Sequence, residues 1–155
     1  MPIDANDQIL VQQIQADEGW SATPYQDTLG HWTIGYGTKM SDITVAELVQ
    51  CWQAENCAKG IRRDQGEIFM RHDLLRVLRW LDAYDWWHNL NDGQARAIAN
   101  MAYNLGQTKF RQFRKMLYAL ARGNYFSARK EALDSRWAKQ VGSRATRIAD
   151  AIWFE

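Results

Sequence analysis

Two acids, Glu18 and Asp27, stand nine positions apart near the start of this 155-residue chain, in a stretch over residues 17–38 that makes a poor helix. Gly19, Gly30, Gly35 and Gly37 weaken a helix there, and Pro24 breaks one. Tyr25, Trp32, Thr33, Ile34 and Tyr36 are strand formers, so the stretch is expected to be a helix end followed by a short hairpin. Two carboxyl groups held on either side of a cleft are what cleavage of a glycosidic bond requires. One is protonated and donates to the leaving oxygen; the other is ionised and handles water or the anomeric carbon. Glu18 suits the first role. It follows a run with helical spacing, Gly19 stands where a C-terminal cap is expected, and the negative end of the helix dipole disfavours an ionised carboxylate there. Asp27 suits the second, beside open turn backbone and Thr33. Spacing alone favours the bland reading, two solvated surface charges.

The order of residues says more. Glu18-Gly19, then Tyr25, Asp27, Gly30, Thr33, Ile34, Gly35 and Gly37, resembles the active-site hairpin of the phage-type (T4-like) lysozymes, glycoside hydrolase family 24, without a gap from Glu to Asp or from Asp to Thr. Residues 100–106 (Asn100, Met101, Ala102, Tyr103, Asn104, Leu105, Gly106) are similar to the family's helix that ends in a turn beside the cleft. Residues 135–140, followed by Arg144 and Arg147, are similar to its C-terminal motif. These three segments cover about a third of the chain.

The resemblance implies a mainly α (α+β) lysozyme-like fold: a small N-terminal lobe with a short β-hairpin sheet, joined by a long helix to an all-α C-terminal lobe. It implies a small lobe over about 15–65, a linking helix over about 67–83, and a large lobe over about 84–155 together with the N-terminal helix. It implies Glu18 as general acid, Asp27 as the base for water, and Thr33 helping to hold that water. Inversion at the anomeric centre then requires carboxyl groups roughly 6.5–9.5 Å apart, whereas about 5 Å favours a covalent intermediate. On the substrate side it implies Tyr103 stacking on a sugar face, Asn104 bonding N-acetyl or hydroxyl groups, and Gln140 and Arg144 reaching toward Glu18. The bland alternative for Tyr103 is a core tyrosine on a buried helix, and Arg136 and Trp137 read as structural. No metal or cofactor is implied. Two positions depart from the family: Thr38 stands where its best-known member has a histidine, and Lys39 replaces an apolar residue.

Composition bounds the alternatives. One domain of this length, 46% hydrophobic with eight Trp, buries most of its apolar side chains. Net charge is +1, but residues 1–105 hold 8 Lys/Arg against 14 Asp/Glu, and residues 106–155 hold 11 against 4. A basic C-terminal part suits an anionic polymer such as cell wall, nucleic acid or a membrane surface, or is simply a solvated basic face. A nucleic-acid binder lacks its motifs here. The sequence contains two cysteines, Cys51 and Cys57. On a helix they stand about 9 Å apart along the axis, on different faces, so free thiols in a reducing compartment are expected. The acidic N-terminus is not a signal peptide, and no stretch approaches the ~20 apolar residues of a membrane span. The expectation is a phage or prophage endolysin, made in the host cytoplasm and acting on periplasmic cell wall. It is expected as a monomer, with peptidoglycan strands as its partner and release through a membrane-permeabilising holin. A lytic transglycosylase and a non-catalytic wall-binding module are the competing readings.

Along the chain, Asp4 or Asn6 is expected to cap a helix to about Asp17, with Ile9, Leu10, Val11 and Ile14 inward. Thr44–Glu47 is a capping box opening a second helix to about Ala58. Residues 60–66 read as a connection. Ile68, Leu74, Leu75, Leu78 and Leu81 mark a long amphipathic helix over about 67–83. Trp86-Trp87 reads as a break, and Asp92 as the cap of a buried helix ending at Gly106. Three helices are expected to follow, at about 109–122, 124–134 and 143–153, with a turn at Ser135–Lys139.

Overall fold

The computed structural model describes residues 2–43 and 60–154. The helix expected from Thr44, and with it Cys51 and Cys57, lies outside the described residues. Those described form a mainly helical protein with one three-stranded antiparallel sheet, as the sequence implies. The chain divides into two compact units, residues 11–73 and residues 1–10 with 74–155.

The first unit contains the end of α1 (Gln8–Glu18), the strands β1 (Ser21–Gln26), β2 (Trp32–Gly35) and β3 (Thr38–Lys39), and the start of α2 (Arg63–Leu81). In the β1–β2 hairpin Tyr25 faces Thr33 and Gln26 faces Trp32; β3 then pairs Thr38 with Ile34. The register slips between Ser21 and Tyr25, where Pro24 has no N–H to give the ladder. Ile34, Ile43, Ile61 and Phe69 form the core of this unit, with Trp20 and Met40 packed on it. The Ile61 N–H donates to the Ala22 carbonyl at 2.9 Å, and Gln15 Nε2 donates to Glu67 Oε1 at 3.1 Å. Trp20 lies against Gly66 so closely that a methyl group there would be 2.3 Å from its ring. The Arg63 guanidinium is 5.1 Å from the Trp20 ring centroid, and its Nη1 donates to the Tyr36 hydroxyl at 3.4 Å.

In the second unit α3 (Asp92–Leu105) is buried on nearly all sides by Ala95, Ala97, Ile98, Ala99, Met101 and Ala102. Its small residues allow close approach by α8 (Ser143–Phe154), which presents Ala145 and Ala149. Between them in sequence run α4 (Gln107–Arg111), α5 (Arg114–Ala121), α6 (Tyr125–Leu133) and α7 (Arg136–Val141). Helix α6 packs on both α5 and α8.

Several local expectations are corrected. Helix α1 is capped by Asp7, whose Oδ1 accepts the Leu10 N–H at 2.9 Å; Asp4 instead turns back onto the Asn6 N–H at 2.7 Å. Ile9 is exposed, while Leu10, Val11 and Ile14 are buried. Helix α2 begins at Arg63 rather than 67, because Gln65 Oε1 accepts the Arg62 N–H at 2.9 Å and Trp20 fills the space left by Gly66. Ile68 is exposed, and Phe69, Met70 and Val77 are buried instead. The Trp86-Trp87 break is a 3-10 turn over Asp85–Asn89 with both indoles buried. Asn91, not Asp92, caps α3: its side chain accepts the Gln94 N–H at 2.8 Å, and the Gln94 side chain accepts the Asn91 N–H at 3.1 Å. The C-terminal stretch makes five helices rather than three. Gln112–Phe113 interrupts the first of those expected, and Ser135, read as opening a turn, caps α7 by accepting the Ala138 N–H.

Candidate active site

Glu18 is the last residue of α1, and Gly19, with φ of +71°, turns the chain out of the helix into β1. The Glu18 carboxyl packs on the turn between β2 and β3. A methyl group on the Gly37 Cα would lie 2.9 Å from Glu18 Oε2 and 3.3 Å from its Cδ. Gly37 has φ of +77°, so both its conformation and its bareness are used here.

Asp27 closes the hairpin. Its backbone N–H donates to the His31 carbonyl at 2.9 Å, and its carbonyl accepts the Gly30 N–H at 3.0 Å. Its Oδ1 accepts two further N–H groups, Leu29 at 2.9 Å and His31 at 2.8 Å, and Oδ2 lies 3.4 Å from His31 Nδ1. The His31 N–H, opposed by desolvation and then aided by the Leu29 N–H and the His31 ring, holds the Asp27 carboxyl below the usual carboxylate range. A side chain held this way stays ionised and fixed in direction. Thr33 is buried on β2, and its hydroxyl donates to the His31 carbonyl at 2.9 Å. The register sets Thr33 opposite Tyr25, two residues before Asp27. Burial first, then the negative charges of Glu18 and Asp27, raise the pKa of the Tyr25 phenol. Tyr25 is thus within electrostatic reach of both acids, something its reading as a strand former passes over.

Of the two positions that depart from the family, Thr38 is buried on β3, and its Oγ1 has no hydrogen-bond partner. Lys39 is exposed beside it.

The other expected residues belong to the second unit. Tyr103 and Asn104 are half-buried at the end of α3, and Asn104 Oδ1 accepts the Trp137 indole N–H at 2.8 Å. Arg144 is buried, with Nε and Nη2 donating to Asn100 Oδ1 at 3.0 and 2.7 Å. Its guanidinium thus ties α8 to α3. Gln140 is exposed at the rim of a cavity of about 600 Å³ on α4–α7, lined by Phe113 and Trp137, the cations Lys109, Arg114, Lys115 and Arg136, and the acids Glu131 and Asp134. Among the described residues no group of three His, Cys, Asp or Glu side chains is arranged to hold a metal ion. No described helix is long and apolar enough to cross a membrane.

The family model for phage lysozyme matches residues 15–149. The chain is 27% identical to the pre-baseplate central spike protein Gp5 of Enterobacteria phage T4, over 98% of its own length but only 29% of that protein. It is 23% identical to the probable T4-type lysozyme 1 of Dictyostelium discoideum, over 92% of each chain. With the probable T4-type lysozyme 2 of the same organism it shares 24% identity, over 90% of each. A match running from α1 to α8, across the hairpin and the buried helix alike, means that the chain belongs to the phage lysozyme family of glycoside hydrolases.

Proposed function

We propose that this protein is a muramidase, hydrolysing the β-1,4 bond between N-acetylmuramic acid and N-acetylglucosamine in peptidoglycan. Glu18 is the general acid: it protonates the glycosidic oxygen as the bond to the anomeric carbon breaks. Asp27 is the base: it takes a proton from the water that attacks the opposite face of the sugar. Thr33 helps to hold that water, and the product is the inverted anomer. The observation that carries this reading is the Asp27 loop, whose N–H groups fix an ionised carboxylate on the same small sheet against which Glu18 packs. Tyr103, Asn104, Gln140 and Arg144 serve the substrate side, Asn104 and Arg144 partly through Trp137 and Asn100.

In context we infer an endolysin, monomeric, made in a host cytoplasm and acting on the wall in the periplasm once a separate membrane-permeabilising protein has let it through. The basic stretch over 106–155 favours approach to an anionic wall.

The test is release of reducing ends from purified peptidoglycan by wild type, Glu18→Gln and Asp27→Asn, each checked for folding. Reducing sugars from wild type, with near-complete loss in both folded variants, is the expected result. Products ending in an anhydro sugar would assign a transglycosylase, and a folded but inactive wild type would leave a wall-binding module.

A further inference from the structure

Helices α6 and α8 run antiparallel, since Phe126 meets Trp153 while Arg129 Nε donates to Asp150 Oδ1 at 3.0 Å. At the end of this pair three large rings stand together. The Phe126 and Trp153 centroids are 5.2 Å apart in a T-shaped contact, and the Phe154 centroid is 5.9 Å from that of Trp153. Phe126, Trp153 and Phe154 are nevertheless 54%, 41% and 71% exposed. The inward positions of both helices are already filled, by Ala128 and Ala132 on α6 and by Ile148, Ala149 and Ile152 on α8. With Ile152 facing the core, the helical period turns Trp153 and Phe154 outward. Apolar residues exposed singly need no explanation, but a contiguous aromatic cluster outside the core does.

Its surroundings are cationic. Lys130 is exposed one turn along α6 from Phe126, and Arg122 is exposed in the turn that leads into α6. Asp150, one turn before Trp153 and Phe154, is neutralised by Arg129. The stretch over 106–155 carries 11 Lys/Arg against 4 Asp/Glu. The size of the cluster narrows what can cover it. At these exposures the three rings offer about 300 Å², well short of the roughly 800 Å² per partner that a stable protein interface buries. A lipid surface sets no such minimum. Tryptophan and phenylalanine rings settle at the boundary of headgroups and acyl chains, and neighbouring Lys and Arg add attraction where the headgroups are anionic.

We propose that the Phe126–Trp153–Phe154 cluster is an interfacial membrane contact, which lays this end of the α6–α8 pair on an anionic lipid surface. The contact is peripheral and reversible, in keeping with the absence, among the described residues, of a helix long and apolar enough to cross a bilayer. It lies within the second unit and uses none of the residues of the proposed reaction, so it stands independently of the muramidase reading.

The experiment measures co-sedimentation of the full chain with vesicles of phosphatidylglycerol and phosphatidylethanolamine in equal parts, against vesicles of phosphatidylcholine alone. Wild type should bind the anionic vesicles and be released by high salt. Phe126→Ser with Phe154→Ser should lower the partition coefficient at least tenfold. Lys130→Ala should lower it about fivefold, the worth of one cation near such a surface. All variants should keep the wild-type unfolding midpoint and the wild-type rate on soluble glycan strands. The proposal is overturned if wild type stays in solution with anionic vesicles, binds phosphatidylcholine equally well, or loses nothing on removal of both phenylalanines. A wild-type dimer in solution that the double variant abolishes would also overturn it, and would give the cluster to a second copy of the chain.

Discussion

Gly37 offers a way to move the proposed acid without altering it. Replacing it by alanine has two separable costs. The backbone there has φ of +77°, and placing a side chain in that region costs about 1–2 kcal/mol. The new methyl group would also lie 2.9 Å from Glu18 Oε2, where ordinary contact begins near 3.4 Å, so the carboxyl must retreat by about half an ångström. It can do so cheaply, because the clash is with the end of a side chain. A displacement of that size is at the edge of what a catalytic group tolerates, and the loss of kcat/KM expected is about tenfold. Gly123 is the control: its φ is +66° and nothing lies within 4 Å of the methyl position. Both variants should unfold roughly 2–8 °C below wild type. Only Gly37→Ala should lose activity when assayed well below its transition. If Gly37→Ala keeps wild-type kcat/KM, or if Gly123→Ala loses as much, the argument that Gly37 shapes the place of Glu18 is wrong.

Two further outcomes follow. Asp27 is held below the usual carboxylate range chiefly by the His31 N–H. Its folded pKa lies below its unfolded one, so its contribution to stability is complete above the unfolded value near pH ~4 and is lost as pH falls through the folded value. Because the main donor is backbone, His31→Gln should leave the acid limb of the pH–activity profile almost in place; a shift of a full pH unit would show that the ring, not the loop, controls Asp27. Asn100→Leu removes the acceptor of two Arg144 N–H groups in a buried setting, and should cost about 2–3 kcal/mol in denaturant unfolding. A cost below 0.5 kcal/mol, read against the ordinary scatter of about ±0.5 for surface changes, would show that this link is not structural.

What could be read in advance differs by residue. Glu18, Asp27 and the glycines around them follow one another closely, and glycine with proline punctuates a chain in a local way, so the hairpin was legible. The inward faces were less so. Ile68 and Ile9 fit a helical stripe and are nonetheless exposed, because a stripe only states a period, and its phase is set by what packs against it. The caps failed for a related reason. Asp4, Asn6 and Asp7 are all acceptable cap residues, and the choice of Asp7 is joined to a contact 89 positions away, where Arg96 donates to its carboxylate at 3.0–3.2 Å. No glycine or proline stands within about five residues of the break at Gln112–Phe113 or of the cap at Ser135, so nothing local announced them. Asn104 and Arg144 read as facing substrate, yet each spends hydrogen bonds on a distant neighbour, Trp137 or Asn100, that spacing does not reveal.

The seat of Trp20 on Gly66 also bears on the order in which the nascent protein acquires its shape. The hairpin carrying Asp27, and the turn against which Glu18 lies, are synthesised about two dozen or more residues before Ile61, Gly66 and Phe69, which add to the core beneath them. A two-stranded hairpin alone is marginal in water. While the ribosome is still extending the chain through residue 60, that core is open and the hairpin lacks its floor. Long-range closure of this kind is paid for in loop entropy before any contact rewards it. The two acids therefore take their places only after the first turns of α2 have emerged, and a truncated translation product ending before Gly66 carries the whole Glu18–Thr38 segment without the surface that holds it.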